Sequence, residues 1–137
     1  MNTSNFTASF RVFHPIKPAD DILQAIQLPA CIINSVGAPR QTPKGTPLEG
    51  TYSRTMIVFD LPPANGASLS AFLQAMIKEP FANSPHIKEL VSTGGEARFF
   101  ISIFCADSYG ASLEPSLLMA LGAKQLGLDL TVYPEET

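Results

Sequence analysis

The chain has 137 residues, of which 45% are hydrophobic and 15% are charged, and its formal net charge is −3. This length predicts a single domain over residues 1–137 that folds without a metal or a disulfide. The acidic balance argues against nucleic-acid binding. The longest apolar run, residues 99–106 with Ser102 inside it, is too short to cross a membrane.

The beginning of the chain predicts a strand followed by a helix. Residues 1–7 are polar and are expected to be frayed. The alternation of apolar and polar residues over Ala8–Phe13 predicts the first strand. Pro18 suits the first turn of a helix, where Asp20 and Asp21 would meet the positive end of the helix dipole.

A long loop is predicted between the next two strands. Residues 31–33 predict a short strand and residues 51–61 a longer one. Residues 34–50 between them contain three prolines and three glycines. A loop of this length inside a compact domain is either functional or a solvated surface connector, and the sequence leaves both readings open.

The strongest amphipathic helix follows a turn at residues 62–66. Ser68 is a suitable N-cap for it, and Pro80 interrupts it. Pro85 begins one or two further turns that end at Gly94. The apolar residues of the main helix recur at the spacing of one buried helix face: Leu69, Phe72, Leu73, Met76 and Ile77.

Residues 94–134 predict a long strand, a helix that begins with Pro115, and a final strand. The final strand alternates between two faces. Leu128, Leu130 and Val132 lie on one of them, and Asp129, Thr131 and Tyr133 lie on the other.

The predicted order is strand, helix, strand, strand, helix, strand, helix, strand. Its first six elements match the split βαβ (ferredoxin-like) arrangement, in which two βαβ units interleave in one sheet. We therefore predict an α+β domain with an antiparallel or mixed sheet of about five strands. Three helices would lie mainly on one face, with the last helix and strand as an addition.

Six segments of the chain together form a pattern typical of a known family: Phe10–Phe13, Asp20–Pro29, Lys44-Gly45, Gly94–Phe104, Pro115–Leu121 and Leu126–Tyr133. In these segments the chain resembles the bacterial domain of unknown function 4279 family. The resemblance implies this fold and no catalytic residues. Family members often carry a tryptophan in the strand after the Lys-Gly pair; this chain has none, and Tyr52 and Met56 are the candidates for that place.

The residue types that carry chemistry do not form a recognisable motif. Cys31 and Cys105 lie in apolar stretches, which predicts two buried free thiols. His14 and His86 lack the tight spacing of metal ligands, both from each other and from the cysteines. A Cys105, His14 and Asp107 arrangement is conceivable, but nothing beside Cys105 would lower the pKa of its thiol. We predict no catalytic residue, no metal and no cofactor.

One face of the sheet is the best candidate for a binding surface. Because side chains alternate along a strand, Ser9 shares one face of its strand with Arg11, Arg98 shares one with Phe100, and Asp129 shares one with Tyr133. If these sets share one side, they leave an open apolar patch that would contact a partner or a second copy; otherwise residues 34–50 or the N-terminus cover it. The candidate residues of this face are Arg11, Phe13, Arg98, Phe100, Phe104 and Tyr133.

We therefore predict a non-enzymatic binding or protein-interaction domain that uses this open face. Its partner would be another protein or a second copy in a homodimer, with no nucleic acid and no membrane. Because the N-terminus lacks a signal peptide, we expect a cytoplasmic location. The alternative is an enzyme or small-molecule binder with a pocket beneath residues 34–50, where Arg40, Lys44 and Arg54 would receive an anion.

Overall fold

The computed structural model describes residues 6–135, which fold into two β-sheets and four α-helices. Most of these elements agree with the predicted ones to within a few residues. The elements in chain order are β1 (Phe6–His14), α1 (Ala19–Ala25), β2 (Ala30–Asn34), β3 (Pro39–Gln41), β4 (Pro47–Thr51), β5 (Thr55–Asp60), α2 (Leu69–Met76), a 3₁₀ helix (Pro80–Asn83), α3 (Pro85–Ser92), β6 (Glu96–Cys105), α4 (Pro115–Ala123) and β7 (Leu126–Pro134).

The main sheet has five strands in the order β2-β5-β1-β6-β7. Neighbouring strands are antiparallel except β6 and β7, which run parallel. The sheet is therefore mixed, and the prediction of an α+β domain with about five strands in one sheet is confirmed. The parallel pair follows from α4, because parallel neighbours need a crossover connection between them.

The hydrophobic core lies on one face of this sheet. Phe10, Phe59 and Phe99 from adjacent strands have no exposed surface. The ring of Phe81 from the 3₁₀ helix packs against Phe10 with 4.9 Å between centroids. Each α-helix adds buried side chains to the same cluster. The helices therefore cover this face of the sheet and do not cover the opposite face.

The prediction of three helices was too low. Residues 85–92, predicted as one or two further turns, form an α-helix of eight residues. Two signals start it: Pro85 occupies its first turn, and the Ser84 side chain accepts a hydrogen bond from the backbone N–H of His86 at 3.2 Å. α2 ends before Pro80, and a 3₁₀ helix that begins at Pro80 separates it from α3. The chain therefore forms two separate α-helices in this region.

Residues 34–50 were predicted as a loop, but they contain most of a small hairpin. Strands β3 and β4 pair with each other in a separate two-stranded sheet. The turn is closed by hydrogen bonds from Thr42 N–H to Thr46 O and from Gly45 N–H to Thr42 O, both 2.8 Å. Gly45 has a φ of 87°, which glycine adopts without strain. The prolines that suggested a loop are tolerated because short edge strands accept them.

The predicted fraying of residues 1–7 does not hold for Phe6 and Thr7. Both belong to β1 and pair with Ile103 and Ser102 of β6. The Phe6 ring also packs edge-on against Phe72, with 5.6 Å between centroids. The remainder of that prediction, residues 1–5, lies outside the described residues.

Candidate interaction face

The strand register places the predicted surface residues on one side of the sheet. Ser9 of β1 lies directly opposite Phe100 of β6, and Phe100 lies opposite Asp129 of β7. Residues directly opposite each other share a face, so the sets from the three strands lie together, on the side away from the core. We call this surface the arginine–aromatic face and define it by Arg11, Phe13, Arg54, Arg98, Phe100, Phe104, Asp129 and Tyr133.

Two arginines of this face lie over phenylalanine rings. The guanidinium carbon of Arg11 is 3.8 Å from the centroid of the Phe100 ring. That of Arg54 is 4.4 Å from the centroid of Phe13. Both contacts have cation–π geometry, in which the negative face of the ring attracts the cation. Each of these guanidinium groups therefore has an apolar ring beneath it.

A third arginine of the face is neutralised by a carboxylate. Arg98 Nε donates to Asp129 Oδ2 at 2.6 Å and its second terminal nitrogen donates to Asp129 Oδ1 at 3.0 Å, a bidentate pair. The hydrogen bonds from Arg98 are the main cause of the lowered pKa of Asp129. Arg11 and Arg98 are directly opposite each other, a repulsive placement of like charges that Asp129 offsets.

Gly127 makes room for the bidentate pair. A Cβ atom at this position would lie 2.6 Å from the guanidinium carbon of Arg98, so any other residue here would force the Arg98 side chain to shift. Sequence analysis placed Asp129 on the candidate face and assigned Arg54 to the anion site, but it did not identify Gly127 and did not connect Arg54 with Phe13. The signal for Gly127 was available, because a glycine inside a strand often marks the close approach of another group.

The far end of the face is aromatic. The rings of Phe104 and Tyr133 are stacked, with 5.4 Å between centroids and 20° between planes. Tyr133 is 44% exposed, whereas Phe13, Phe100 and Phe104 are half-buried. The face thus combines arginine guanidinium groups with aromatic surface that remains in contact with solvent.

His14 is a structural residue and not a ligand or a base. Its Nδ1 accepts hydrogen bonds from the backbone N–H groups of Ile16 at 3.1 Å and Lys17 at 2.9 Å. Nε2 therefore carries the proton and donates to Thr93 Oγ1 at 2.8 Å. Burial, and then the charge of Lys17, lowers the pKa of His14. The conceivable dyad with Cys105 is absent, because β6 carries Cys105 roughly 30 Å from the end that faces His14.

Cys31 was predicted to be buried, but the structure places it on the edge strand β2, where it is exposed. Its thiol still lies against the neighbouring strand and donates to the backbone oxygen of Val58 at 3.5 Å. Desolvation, followed by a hydrogen bond with Asp60, raises the pKa of this thiol. Cys105 is half-buried, and both cysteines are free.

A cavity of about 420 Å³ lies between β2 and the β3–β4 hairpin. Of the three basic residues predicted to receive an anion, only Arg40 lines it, and its guanidinium donates to Glu49 O at 3.2 Å. Lys44 lies in the exposed hairpin turn, and Arg54 lies over Phe13. The structure therefore does not assemble the predicted trio around this cavity.

These features define a mixed α+β domain with an arginine–aromatic face on its sheet. A scan against protein-family models finds no match, and neither the curated proteins nor the solved structures contain a significant match to the chain. The resemblance to the bacterial domain of unknown function 4279 family therefore stays a prediction. Within residues 6–135, no group of three or more His, Cys, Asp or Glu side chains is placed to hold a metal ion. In the same range no helix combines the length and the apolar character that a membrane span requires.

Proposed function

We propose that this chain is a non-enzymatic binding domain that holds a partner protein on the arginine–aromatic face. The observation that carries the proposal is the stacking of Arg11 on Phe100 and of Arg54 on Phe13. Arginine and aromatic side chains dominate the energetics of protein–protein interfaces, because they combine large contact area with directed hydrogen bonds. Here both residue types are already held in place before a partner arrives, which reduces the entropy lost on binding.

The charges of the face favour an acidic partner. Among the described residues, no carboxylate lies within ion-pair distance of Arg11 or Arg54, whereas Arg98 is paired with Asp129 and Glu96. The chain as a whole has a net charge of −3, so these two cations are a local exception. A carboxylate-bearing protein surface would find two oriented guanidinium groups and an apolar floor between them.

The strand order supports the split βαβ arrangement as part of this proposal. β1 lies between β5 and β6, and β5 lies between β2 and β1, which interleaves the β1–α1–β2 unit with the unit that runs from β5 to β6. Because the helices of both units pack on one side, the other side of the sheet is available for a partner. We infer a cytoplasmic setting, since both cysteines are free thiols.

Affinity capture with matched baits tests the proposal. Wild type, Arg11→Glu and Phe100→Ser are compared with Lys78→Glu, a charge reversal at an exposed residue beyond α2. We expect a protein that binds wild type and Lys78→Glu but not the two face variants. Its affinity, measured by calorimetry, should fall by about 30-fold or more in Arg11→Glu, the loss typical of an interface hot spot. Equal capture by all four baits, or no specific capture, contradicts the proposal.

The cavity next to the hairpin supports a second candidate function, the binding of a small anion. Its size of about 420 Å³ lies within the range of ligand pockets, and Arg40 provides one cation in its lining. A panel of phosphate, citrate and nucleotides is tested by thermal shift. A ligand at about 100 times its dissociation constant adds about 2.7 kcal/mol, which raises the melting midpoint by several degrees. Arg40→Ala should remove the shift and Lys44→Ala should keep it.

A further inference from the structure

The two edges of the main sheet are built differently. β2 has five residues, an irregular register between Ala30 and Ile32, and the β3–β4 hairpin next to it. β7 has nine residues in a regular parallel register with β6, and within residues 6–135 no strand pairs with its other side. Natural edge strands are usually protected by charged side chains, especially lysine, by an internal proline, by a bulge or by short length. β2 has two of these features. β7 has one charged residue, Asp129, whose carboxylate is held by Arg98, and a proline only at its last position.

The backbone of β7 presents a defined set of groups at this open edge. The N–H of Glu135 donates to Cys105 O at 2.9 Å, while Cys105 is in register with Pro134. In a regular parallel ladder, alternate residues direct both backbone groups to the same neighbour. The odd-numbered residues of β7 therefore bond to β6, and Leu128, Leu130 and Val132 direct their N–H and C=O groups outward.

This outward pattern is complementary to itself. If a second copy runs antiparallel about a two-fold axis at Leu130, Leu130 faces the partner's Leu130 and Leu128 faces the partner's Val132. Leu126 then faces the partner's Pro134, whose carbonyl accepts although its nitrogen cannot donate. About eight backbone hydrogen bonds result, close to the roughly ten of a typical protein interface.

The side chains of β7 also suit a second copy. On the helix-covered side, Leu130 is 49% exposed and Val132 52% exposed, although both lie on the same face as the core. Pairing would bring these apolar side chains of the two copies together. On the opposite side, Asp129 faces the partner's Thr131, so no like charges meet, and its carboxylate is already held by Arg98.

The neighbouring helix can supply further contact area. A standard interface covers about 800 Å² of each partner, which is about a tenth of the 8172 Å² of this chain. A strand pair alone covers less than this. α4 packs beside β7 on the same side of the sheet as Leu130 and exposes Leu118 by 50% and Met119 by 75%. These apolar side chains extend the surface that a second copy could bury.

We propose that two copies of this chain associate by antiparallel pairing of their β7 strands about a two-fold axis at Leu130. The product is one continuous sheet of ten strands, five from each copy. Since this axis is perpendicular to the sheet, both arginine–aromatic faces lie on the same side and the dimer is bivalent. The proposal does not depend on the proposed function, because the backbone edge of β7 joins the copies, whereas the contacts that carry that function, Arg11 on Phe100 and Arg54 on Phe13, do not involve β7.

Absolute mass by light scattering on a sizing column tests the pairing. We expect twice the 14.7 kDa of one chain for wild type. Leu130→Pro should give the monomer mass, since it removes an outward N–H without breaking a bond to β6. Val132→Lys is a second variant that places a charge at the edge and spares the backbone. The control Ile33→Lys changes a residue of similar exposure on the other edge strand and should keep the dimer mass.

Amide hydrogen exchange locates the interface in the same samples. The Leu130 amide should be protected in wild type and in Ile33→Lys, and should exchange rapidly in Val132→Lys, while the Phe99 amide in β6 stays protected in all three. A monomeric wild type overturns the proposal, as does a dimer that survives both edge variants. A dimer that is lost in Phe100→Asp but kept in Val132→Lys would show that the face, and not the edge, joins the copies. Capture of a partner by the face is a separate result, since the edge variants leave that face intact.

Discussion

At the scale of single residues, the two buried polar side chains hold the segment that follows β1. His14 accepts the N–H groups of Ile16 and Lys17. Thr55 donates to Lys17 O at 2.6 Å and accepts from the N–H of Val36 at 2.9 Å. No buried side-chain nitrogen or oxygen in residues 6–135 lacks a partner. Both side chains replace hydrogen bonds that this irregular backbone cannot make with itself.

We predict that stability decreases as the pH falls below about 6.5, the ordinary pKa of histidine. The pKa of His14 is lowered in the folded state, so the unfolded chain takes up the proton more readily. The contribution of the neutral ring to the free energy of unfolding is therefore complete above the pKa of His14 in the unfolded chain. It is lost as the pH falls toward the lower pKa of His14 in the folded chain. The slope approaches at most about 1.4 kcal/mol per pH unit. Urea unfolding between pH 7.5 and 5 measures it.

Two variants identify the residue responsible for this slope. His14→Asn should remove most of it, and His86→Asn, which changes an exposed histidine, should keep it. The charged groups that face His14 are Lys17 and Glu89, which pair at 2.8 Å. Neither has an ordinary pKa inside this window. An unchanged slope in His14→Asn would contradict the assignment.

A second prediction at this scale concerns the thiol of Cys31. Desolvation and the hydrogen bond with Asp60 raise its pKa, so less thiolate is present at pH 8 than at an ordinary exposed cysteine. In a Cys105→Ser background, alkylation by iodoacetamide should be slower than that of a cysteine in a short peptide, because only the thiolate reacts. Asp60→Asn should speed the reaction severalfold. An Asp60→Asn rate equal to the parent rate would rule out a role for this carboxyl.

At the scale of elements, periodicity predicted some elements well and others poorly. α2 was predicted from its apolar spacing, and its Ser68 cap is confirmed by the bond from Ala71 N–H at 3.1 Å. β7 was predicted from its alternation. α3 is as long as α2, but its start depends on the Ser84 cap. The β3–β4 hairpin has strands of only three and five residues and depends on one turn. Short elements of this kind need contacts with the rest of the molecule to become stable.

The end of α4 leads to a prediction about backbone conformation. The helix continues through Gly122 to Ala123, and Gln125 adopts the left-handed conformation with φ of 59°. Gln125→Gly should stabilise the chain by about 0.5–1 kcal/mol, since a side chain is disfavoured at such a position. Gln74→Gly, inside α2, should instead destabilise by about 1 kcal/mol. Equal effects of the two substitutions, measured by urea unfolding, would contradict this reading of the helix end.

At the scale of the whole molecule, one side of the sheet carries the hydrophobic core and the other side carries the arginine–aromatic face. Phe10, Phe59, Phe81 and Phe99 form one aromatic cluster with centroid distances between 4.9 and 6.3 Å. Phe100, the residue next to Phe99 in β6, points to the opposite side and lies beneath Arg11. The difference between the two sides therefore appears between consecutive residues.

Neighbouring substitutions should separate the two sides. Phe99→Ala should destabilise the chain by about 3–5 kcal/mol, because it leaves a cavity in a closed core. Phe100→Ala should cost about 1 kcal/mol or less, since it removes a cation–π contact at a surface that water already reaches. Urea unfolding at one fixed protein concentration measures both, because association would otherwise shift the midpoint. Comparable losses would mean that the arginine–aromatic face is part of the core.

The sequence could predict which residues share a face within each strand of the candidate face, but not that the strands bring these residues together. Alternation placed Arg98 with Phe100 and Asp129 with Tyr133 within each strand. It could not predict that β6 lies between β1 and β7, and so it could not predict that the sets share one side. Arg54 was assigned to the wrong neighbourhood, because the position of Phe13 beneath it depends on the pairing of β1 with β5.

The sequence by itself determined the class of fold, the main helices and strands, and the side of each strand on which each residue lies, because these depend on local periodicity and on caps and turns. The tertiary structure alone decided the strand order, the stacking of arginines on phenylalanines, the exposure of Cys31 and the open edge of β7. These depend on contacts between residues distant along the chain, such as Arg98 with Asp129. Such contacts are selected by packing the whole core at once, which no local pattern records.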